Sequence, residues 1–294
     1  QWEDLRYEPF TLPDSSVYSD IYRVWPREFS AYIQDKMEFD EMVINAGVRY
    51  DYFLPETAYP SQLRNPANQL SYPGDPTRES TYPEAEAKTQ ISPRLGISYQ
   101  LGKAALLRFS YGHFFKMPPL YAMYQNHGFQ VAPTDYATTT GNAQLKAEKT
   151  VQYEVGLWQE LIPGMGLEVA LFYRDIYDML SARVITTFNQ IEYGLYSNKD
   201  YGNAKGLELK FDFIRGSLSA FLNYTLQYTR ANADYPTQTF DRAGNSTDPV
   251  IRLIPLSWDQ RHTLNLTAGY NTPEYGVTLT GYYNSGSPYT WNPI

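Results

Sequence analysis

The sequence contains no cysteine, only three histidines, and no apolar run long enough to form a transmembrane helix. Without cysteine the chain has no disulfide framework and no thiolate metal site. Its 24 basic residues are outnumbered by 32 acidic ones, which gives a formal net charge of −8. No basic stripe is available to neutralise phosphates, and this argues against nucleic acid as a partner.

Aromatic residues are what the chain has in excess. It contains 28 tyrosines, 14 phenylalanines and 5 tryptophans. Tyrosine is enriched at membrane–water interfaces, where one end of the side chain is apolar and the other end is wet. The same composition is also typical of a tyrosine-rich soluble β protein, so it does not decide between the two classes.

Residues 28–53 predict two long strands joined by a tight turn. In the first strand the apolar side chains alternate with polar ones, and the second strand repeats this pattern with Met42, Ile44, Ala46, Val48 and Tyr50. Alternation with a period of two is the signature of a strand. Each run has roughly ten to thirteen residues, about the length that a tilted strand needs to cross a bilayer.

The same unit repeats along the chain, which predicts about ten strands in five hairpins. Long loops are predicted at 54–89, 116–148, 179–202 and 231–259, and short turns alternate with them. Short turns at one end and long loops at the other are typical of outer-membrane barrels. The predicted fold is therefore an all-β, antiparallel transmembrane β-barrel with short periplasmic turns and long extracellular loops.

One face of the predicted strands is charged, and in a barrel it would line a wet lumen. Arg94 and Arg108 on this face are candidate ligand contacts. Asp35 breaks the pattern because it falls on the apolar face of the first strand. Either it lies at the membrane interface, where a charge costs about 0–1 kcal/mol, or a bulge re-aims it.

Several stretches resemble the β-barrel of TonB-dependent outer-membrane receptors, in particular the Bacteroidetes-type group. FSAYIQDKMEF and MVINAGVRYDYF resemble paired strands of that family, and SPRLGISYQLGKAALLRFSYGHFFKMPP resembles its next hairpin. Later in the chain the resemblance continues in family order with GNAQLKAEKTVQYEVGL, AKGLELKFDF, WDQRHTLNLTAGY and SGSPYT. It covers residues 28–290, and Ala143 and Ala147 stand where the family usually has proline.

The resemblance implies TonB-coupled uptake of a large nutrient or chelate across the outer membrane of a Gram-negative bacterium. It also implies an N-terminal plug, a segment that contacts TonB, and a barrel of about 22 strands. This sequence predicts fewer strands and no plug, and it opens at Gln1 without a signal-like segment. We therefore interpret 28–294 as a partial barrel without its plug and barrel ends, and 1–27 as an irregular segment.

An aromatic cluster leaves the fourth predicted strand and enters a long loop on the predicted extracellular side. Its members Phe114, Phe115, Tyr121 and Tyr124 are candidate ligand contacts, because aromatic side chains supply large apolar contact areas. An aromatic girdle combined with packing of the loop explains the cluster equally well. The partners expected for the whole protein are outer-membrane lipid, TonB and an unidentified nutrient.

Catalytic and metal sites are not predicted, and neither is a cofactor. His113, His127 and His262 fall on different elements. Ser110 and His113 have an odd spacing that puts them on opposite faces of a strand, which argues against a nucleophile–base pair. The stretch 241–248 is rich in oxygen ligands but lacks the spacing of a calcium loop, so we interpret it as a polar loop.

Two other functions remain open on sequence alone. A passive outer-membrane pore or adhesin barrel would lack a plug, and a soluble carbohydrate-binding β-sandwich would need no membrane. The barrel prediction also fixes a topology that can be tested. Asp75 and Thr237 should face the outside of the cell, whereas Lys103 should face the periplasm.

Overall fold

The computed structural model describes residue 20 and residues 22–69, 82–247 and 252–289. Within these residues the chain forms twelve strands, of which β5 and β10 have only two residues each. The prediction of about ten strands is therefore confirmed. The strands are β1 (Arg27–Glu38), β2 (Met42–Leu54), β3 (Lys88–Leu101), β4 (Ala105–Lys116), β5 (Thr139–Thr140), β6 (Glu148–Ile162), β7 (Met165–Thr186), β8 (Glu192–Arg215), β9 (Leu218–Ala231), β10 (Ile254–Pro255), β11 (His262–Asn271) and β12 (Gly276–Asn284).

The ten long strands form one antiparallel sheet in the order β1-β2-β3-β4-β6-β7-β8-β9-β11-β12. Strand β10 pairs with β9, and β5 pairs in parallel with β8. Two short helices interrupt the loops, α1 (Leu120–Tyr124) and α2 (Gln238–Gly244). The described sheet is an open part of a barrel wall, with β1 and β12 at its two ends. None of the described helices has the length and apolar character that a membrane span requires.

The five short turns lie along one edge of the sheet. Backbone hydrogen bonds join neighbouring turns, for example from Gln100 N to Glu41 O at 2.7 Å and from Ile214 N to Gly164 O at 2.8 Å. Three of the four connections at the opposite edge are long and carry α1, α2, β5 and β10, whereas β7 and β8 are joined by residues 187–191 alone. The predicted asymmetry between short turns and long loops is confirmed for three of the four predicted long loops.

The sheet has one apolar face and one polar face over its whole width, because the strands pair in matching register. A single apolar row crosses seven strands, and it consists of Ile44, Ile97, Phe109, Val155, Leu171, Leu207 and Leu226. Leu171 in the middle of this row is 52% exposed. In the described residues no second sheet covers the apolar face, so the alternative of a β-sandwich is wrong.

The predicted loop at 179–202 is wrong. Strands β7 and β8 continue through most of it, and Met179 pairs with Asp200 while Thr186 pairs with Glu192. Register shifts follow Ile176 and Met179, and they interrupt the alternation that sequence reasoning follows. We call this part of the hairpin the β7–β8 extension (179–200). It extends beyond β6 and β9, because β6 pairs with β7 only as far as Tyr177 and β9 pairs with β8 only from Gly202 onward.

Asp35 stays on the apolar face. Strands β1 and β2 pair without a register shift from Arg27 to Glu38, and Asp35 pairs with Ala46. The alternative that a bulge re-aims this carboxylate is therefore wrong. An interface location for Asp35 stays a prediction.

Cysteine labelling tests the orientation of the two edges. Thr237 lies on the long-loop side but is half-buried, Asp75 lies outside the described residues, and Ser61 is exposed in the first long loop. We expect Ser61→Cys to react with a membrane-impermeant maleimide on intact cells, because extracellular loops face the medium. Lys103→Cys, in a short turn, should react only after the cells are lysed. If Lys103→Cys were labelled on intact cells and Ser61→Cys were not, the short turns would face the medium and the predicted orientation would be wrong.

Candidate functional site

The long loops and the β7–β8 extension pack together at one end of the wall into a body that we call the loop cap. It comprises the described residues of 55–69, 82–87, 117–147, 179–200 and 232–247. Its main core joins side chains from several of these segments and the top of β2. The members are Phe53, Ala122, Met123, Tyr124, Leu145, Ala182, Tyr196 and Phe240. A second cluster is formed by Tyr82, Phe129, Tyr193 and Leu195. Such burial indicates loops that are folded against one another.

Helix α1 is held in place by the chain that returns beneath it. Gly141 N donates to Gln125 O at 2.7 Å, and Asn142 N donates to Ala122 O at 2.9 Å. The backbones approach so closely that a Cβ on Gly141 would lie 2.7 Å from Gln125 N. Glycine is required here because any side chain would push the two segments apart.

Side-chain hydrogen bonds tie the separate loops together. Tyr193 Oη donates to Leu63 O at 2.7 Å, and Tyr124 Oη donates to Pro55 O at 2.9 Å. Burial raises the pKa of Tyr124 to about 12 and also raises the pKa of Tyr193. Both phenols therefore remain protonated donors at physiological pH.

The six predicted ligand contacts lie in three different environments. Arg94 and Phe114 are on the polar face, where the guanidinium carbon lies 4.9 Å from the centre of the ring. Arg108 is on the same face and is engaged in an ion pair with Glu168. Phe115 alternates onto the apolar face, since its neighbour Phe114 is on the polar one.

The other two predicted contacts belong to α1. Tyr121 is 45% exposed and packs edge-on against Tyr196, with ring centres 5.8 Å apart. Tyr124 is only 1% exposed and lies in the main core of the loop cap. The structure therefore brings Arg94 and Phe114 together but separates them from Tyr124, which is closed off from solvent. Ligand contact by these residues stays a prediction.

Arg94 and Phe114 line a cavity of about 510 Å³ on the polar face. Arg94 pairs with Gly47 on one side and Gly112 on the other, so neither directly paired residue has a side chain, and the ring of Phe114 lies over Gly112 instead. In the described part of the chain Arg94 makes no ion pair. It is therefore a cation available to an acidic group.

A second stacked arginine was missed by the sequence analysis. Arg174 lies 5.0 Å from the centre of the Phe172 ring, which is on the polar face. On the next strand Phe172 faces Gly206, and a Cβ there would lie 2.7 Å from the ring. The signal was an aromatic residue at a polar position opposite a strand glycine.

The three histidines lie in separate places, as predicted. His113 Nε2 is 2.6 Å from Tyr111 Oη, His262 Nδ1 is 2.8 Å from Tyr224 Oη, and His127 Nδ1 is 3.4 Å from Thr57 Oγ1. Among the described residues no group of histidines and carboxylates could hold a metal ion. Of the oxygen-rich stretch 241–248, residues up to Gly244 belong to α2, and Asp248 lies outside the described residues.

The chain belongs to a family of outer-membrane transport receptors. Its sequence matches the family "TonB dependent receptor-like, beta-barrel" over residues 1–293. Members of this family are Gram-negative outer-membrane proteins that interact with TonB and bind nutrients, and they are transport receptors rather than enzymes. The predicted family, barrel fold and outer-membrane location are confirmed, whereas the Bacteroidetes-type subclass stays a prediction.

Solved structures of similar fold are receptors of the same kind. The FrpB iron transporter from Neisseria meningitidis is 16% identical with a TM-score of 0.57, over 90% of this chain and 34% of that one. The hemophore receptor HasR of Serratia marcescens, solved with HasA and heme, is 16% identical with a TM-score of 0.58, over 89% and 44%.

The ferric-catecholate import receptor Fiu from E. coli K12 is 17% identical with a TM-score of 0.52, over 88% of this chain and 35% of that one. At these identities the likeness shows the fold. The chain spans between a third and a half of the length of these three receptors. No curated protein matches the sequence.

The core of the loop cap should depend on Tyr124. We expect Tyr124→Ala to destabilise the cap by about 3–5 kcal/mol, as for other buried aromatic side chains. Limited proteolysis of the purified full chain should then cut within 117–147 much faster than in the wild type. Tyr121→Ala, at an exposed position of the same helix, is the control. Equal cutting of both variants would contradict a packed cap.

Proposed function

We propose that these residues form part of the barrel of an outer-membrane receptor for TonB-coupled uptake of a large nutrient or chelate. The observation that carries this proposal is a wall with a charged inner face and an exposed apolar outer face, joined at one end to a packed loop cap. Membership in the receptor family supports it. The loop cap would capture the ligand, and the charged lumen would conduct it inward.

The edges of the described sheet support a larger complete barrel. Among the described residues no strand pairs with the outer edges of β1 and β12, and hydrocarbon does not tolerate unpaired backbone groups. We therefore propose that 28–294 are part of a longer wall that includes further strands. The outer membrane has no ATP, so energy would come from the inner-membrane proton gradient through TonB, which would contact a plug outside this chain.

A passive pore or adhesin barrel is the second candidate, and energy coupling separates the two. We expect cells that express the full chain to take up radioactive iron, supplied as a ferric catecholate or as heme. Uptake should fall to background after a protonophore is added or in a strain without TonB, because gated transport needs the proton gradient. Iron uptake that continues in both conditions would favour a passive pore.

Arg94, which stacks on Phe114 on the polar face, is a candidate ligand contact that mutation can test. Arg94→Gln should weaken binding of an anionic chelate to the purified full chain by about ten- to a hundredfold, the value of one hydrogen bond to a charged group at about 1.5–3 kcal/mol. Lys205→Gln, which removes the same charge from the outer face, is the control. Isothermal titration calorimetry with a ferric catecholate provides the measurement, and equal affinity in both variants would remove Arg94 from the site.

A further inference from the structure

A small cavity lies where the barrel wall meets the loop cap. It has a volume of about 190 Å³ and is enclosed by the end of β4, the loop that leads into α1, the base of the β7–β8 extension and residues 233–236 after β9. The register shifts that follow Ile176 and Met179 open the space, because β7 and β8 part from their regular pairing there. The cavity is separate from the one that holds Arg94 and Phe114.

Four carboxylates line this cavity, which we call the acidic cavity: Glu148, Asp178, Asp200 and Asp234. The one basic lining residue is Lys116, and its Nζ lies 3.9 Å from Glu148 Oε1. The three aspartates make no ion pair within the described part of the chain. Ser257 N donates to Asp234 Oδ1 at 2.8 Å, but apart from Lys116 no described cation pairs with a lining carboxylate, so the lining has an excess of negative charge.

Asp200 is the least exposed of these carboxylates, so its charged form has the highest desolvation cost. It is 6% exposed, and within the described residues no cation forms an ion pair with its carboxylate. Burial raises the pKa of Asp200, and the positive charge of Lys199 offsets only part of this rise. A carboxylate that is removed from water without a counter-ion is costly, so a cation that enters the cavity would be stabilised strongly.

The remaining walls favour an organic cation over a metal ion. Tyr121 and Tyr235 contribute aromatic rings, while Met117 and Met179 contribute polarizable thioethers. Aromatic rings attract ammonium and guanidinium groups through their negative faces. A hard metal ion needs six or more oxygen ligands in close geometry, and the described carboxylates form no such group.

The volume limits how much of a ligand can enter. Pockets that enclose a drug-sized ligand have about 300–1,000 Å³, which is more than this cavity offers. It has room for one end group of a larger molecule. Its position at the extracellular end of the polar face would let the rest of that molecule lie between the loop cap and the lumen.

We propose that the acidic cavity binds the ammonium or guanidinium end of a cationic ligand, through Asp200 together with Asp178 and Asp234. This inference rests on the proposed receptor function, because it names the chemistry of one part of the ligand. Selection for a positive group here would complement selection for an acidic group at Arg94. A ligand that carries both charges could satisfy both sites.

Calorimetric titration of the purified full chain in detergent tests this inference with three probes of equal chain length. Cadaverine carries two ammonium groups, glutarate carries two carboxylates, and pentanediol is neutral. We expect cadaverine to bind and the other two to give no heat above dilution. Asp200→Asn keeps the shape of the side chain and removes its charge, so it should weaken cadaverine binding about tenfold or more.

Glu84→Gln is the matched control, because it removes one negative charge from an exposed position of the loop cap outside the cavity. It should leave cadaverine affinity unchanged within about twofold. Heat-modifiable migration in a gel checks that each variant is folded, and Asp234→Asn replaces Asp200→Asn if the latter does not fold.

The inference is overturned if wild type does not bind cadaverine, binds glutarate equally well, or loses the same affinity in Glu84→Gln. Because this binding needs neither cells nor TonB, its failure leaves the uptake proposal standing. Cadaverine binding together with energy-independent iron uptake would instead remove the transport proposal.

Discussion

The pairing of every backbone amide and carbonyl is the constraint on which this structure depends. In hydrocarbon an unpaired peptide group costs several kcal/mol, so a wall of strands must satisfy all of them between neighbours. Strand pairing from β1 to β12 does this inside the described wall, and over the regular part of each pair it also aligns side chains. Because successive residues point to opposite faces, matching register yields one face for lipid and one for the lumen. A shift of one residue in any pair would move charged side chains into the apolar face.

The two edges of the wall differ in the structure of their connections. Tight turns need only reverse the chain, and their backbones bond to each other along one edge. The long connections instead build a second hydrophobic core, in which Tyr124 and Tyr193 are almost fully buried. This core is independent of lipid, and it makes the loops a preorganised surface. Such order lowers the conformational entropy that would be lost if a ligand bound to this surface.

Between wall and cap the regular pairing breaks, and the chemistry concentrates there. The register shifts in β7 allow the β7–β8 extension to rise beside α1 and leave the acidic cavity at its base. Arg94 and Phe114 lie lower, on the regular part of the polar face. Arg94 has no ion pair within the described residues, and carboxylates are in excess at the base of the loop cap, so we propose opposite preferences for ligand charge in the two cavities.

The sequence by itself determined the wall: its strands, the two faces, the ends with short turns and long loops, and the family. These follow from alternation and turn residues, which are local properties of the chain. It also indicated Arg94 on the polar face, because that position follows from the same alternation. Only the tertiary structure decided that Tyr124 is buried, that residues 179–200 extend β7 and β8, and that Asp178, Asp200 and Asp234 line one cavity. Those features depend on contacts between loops far apart in the chain and on register shifts that interrupt the local pattern, so no period in the sequence could reveal them.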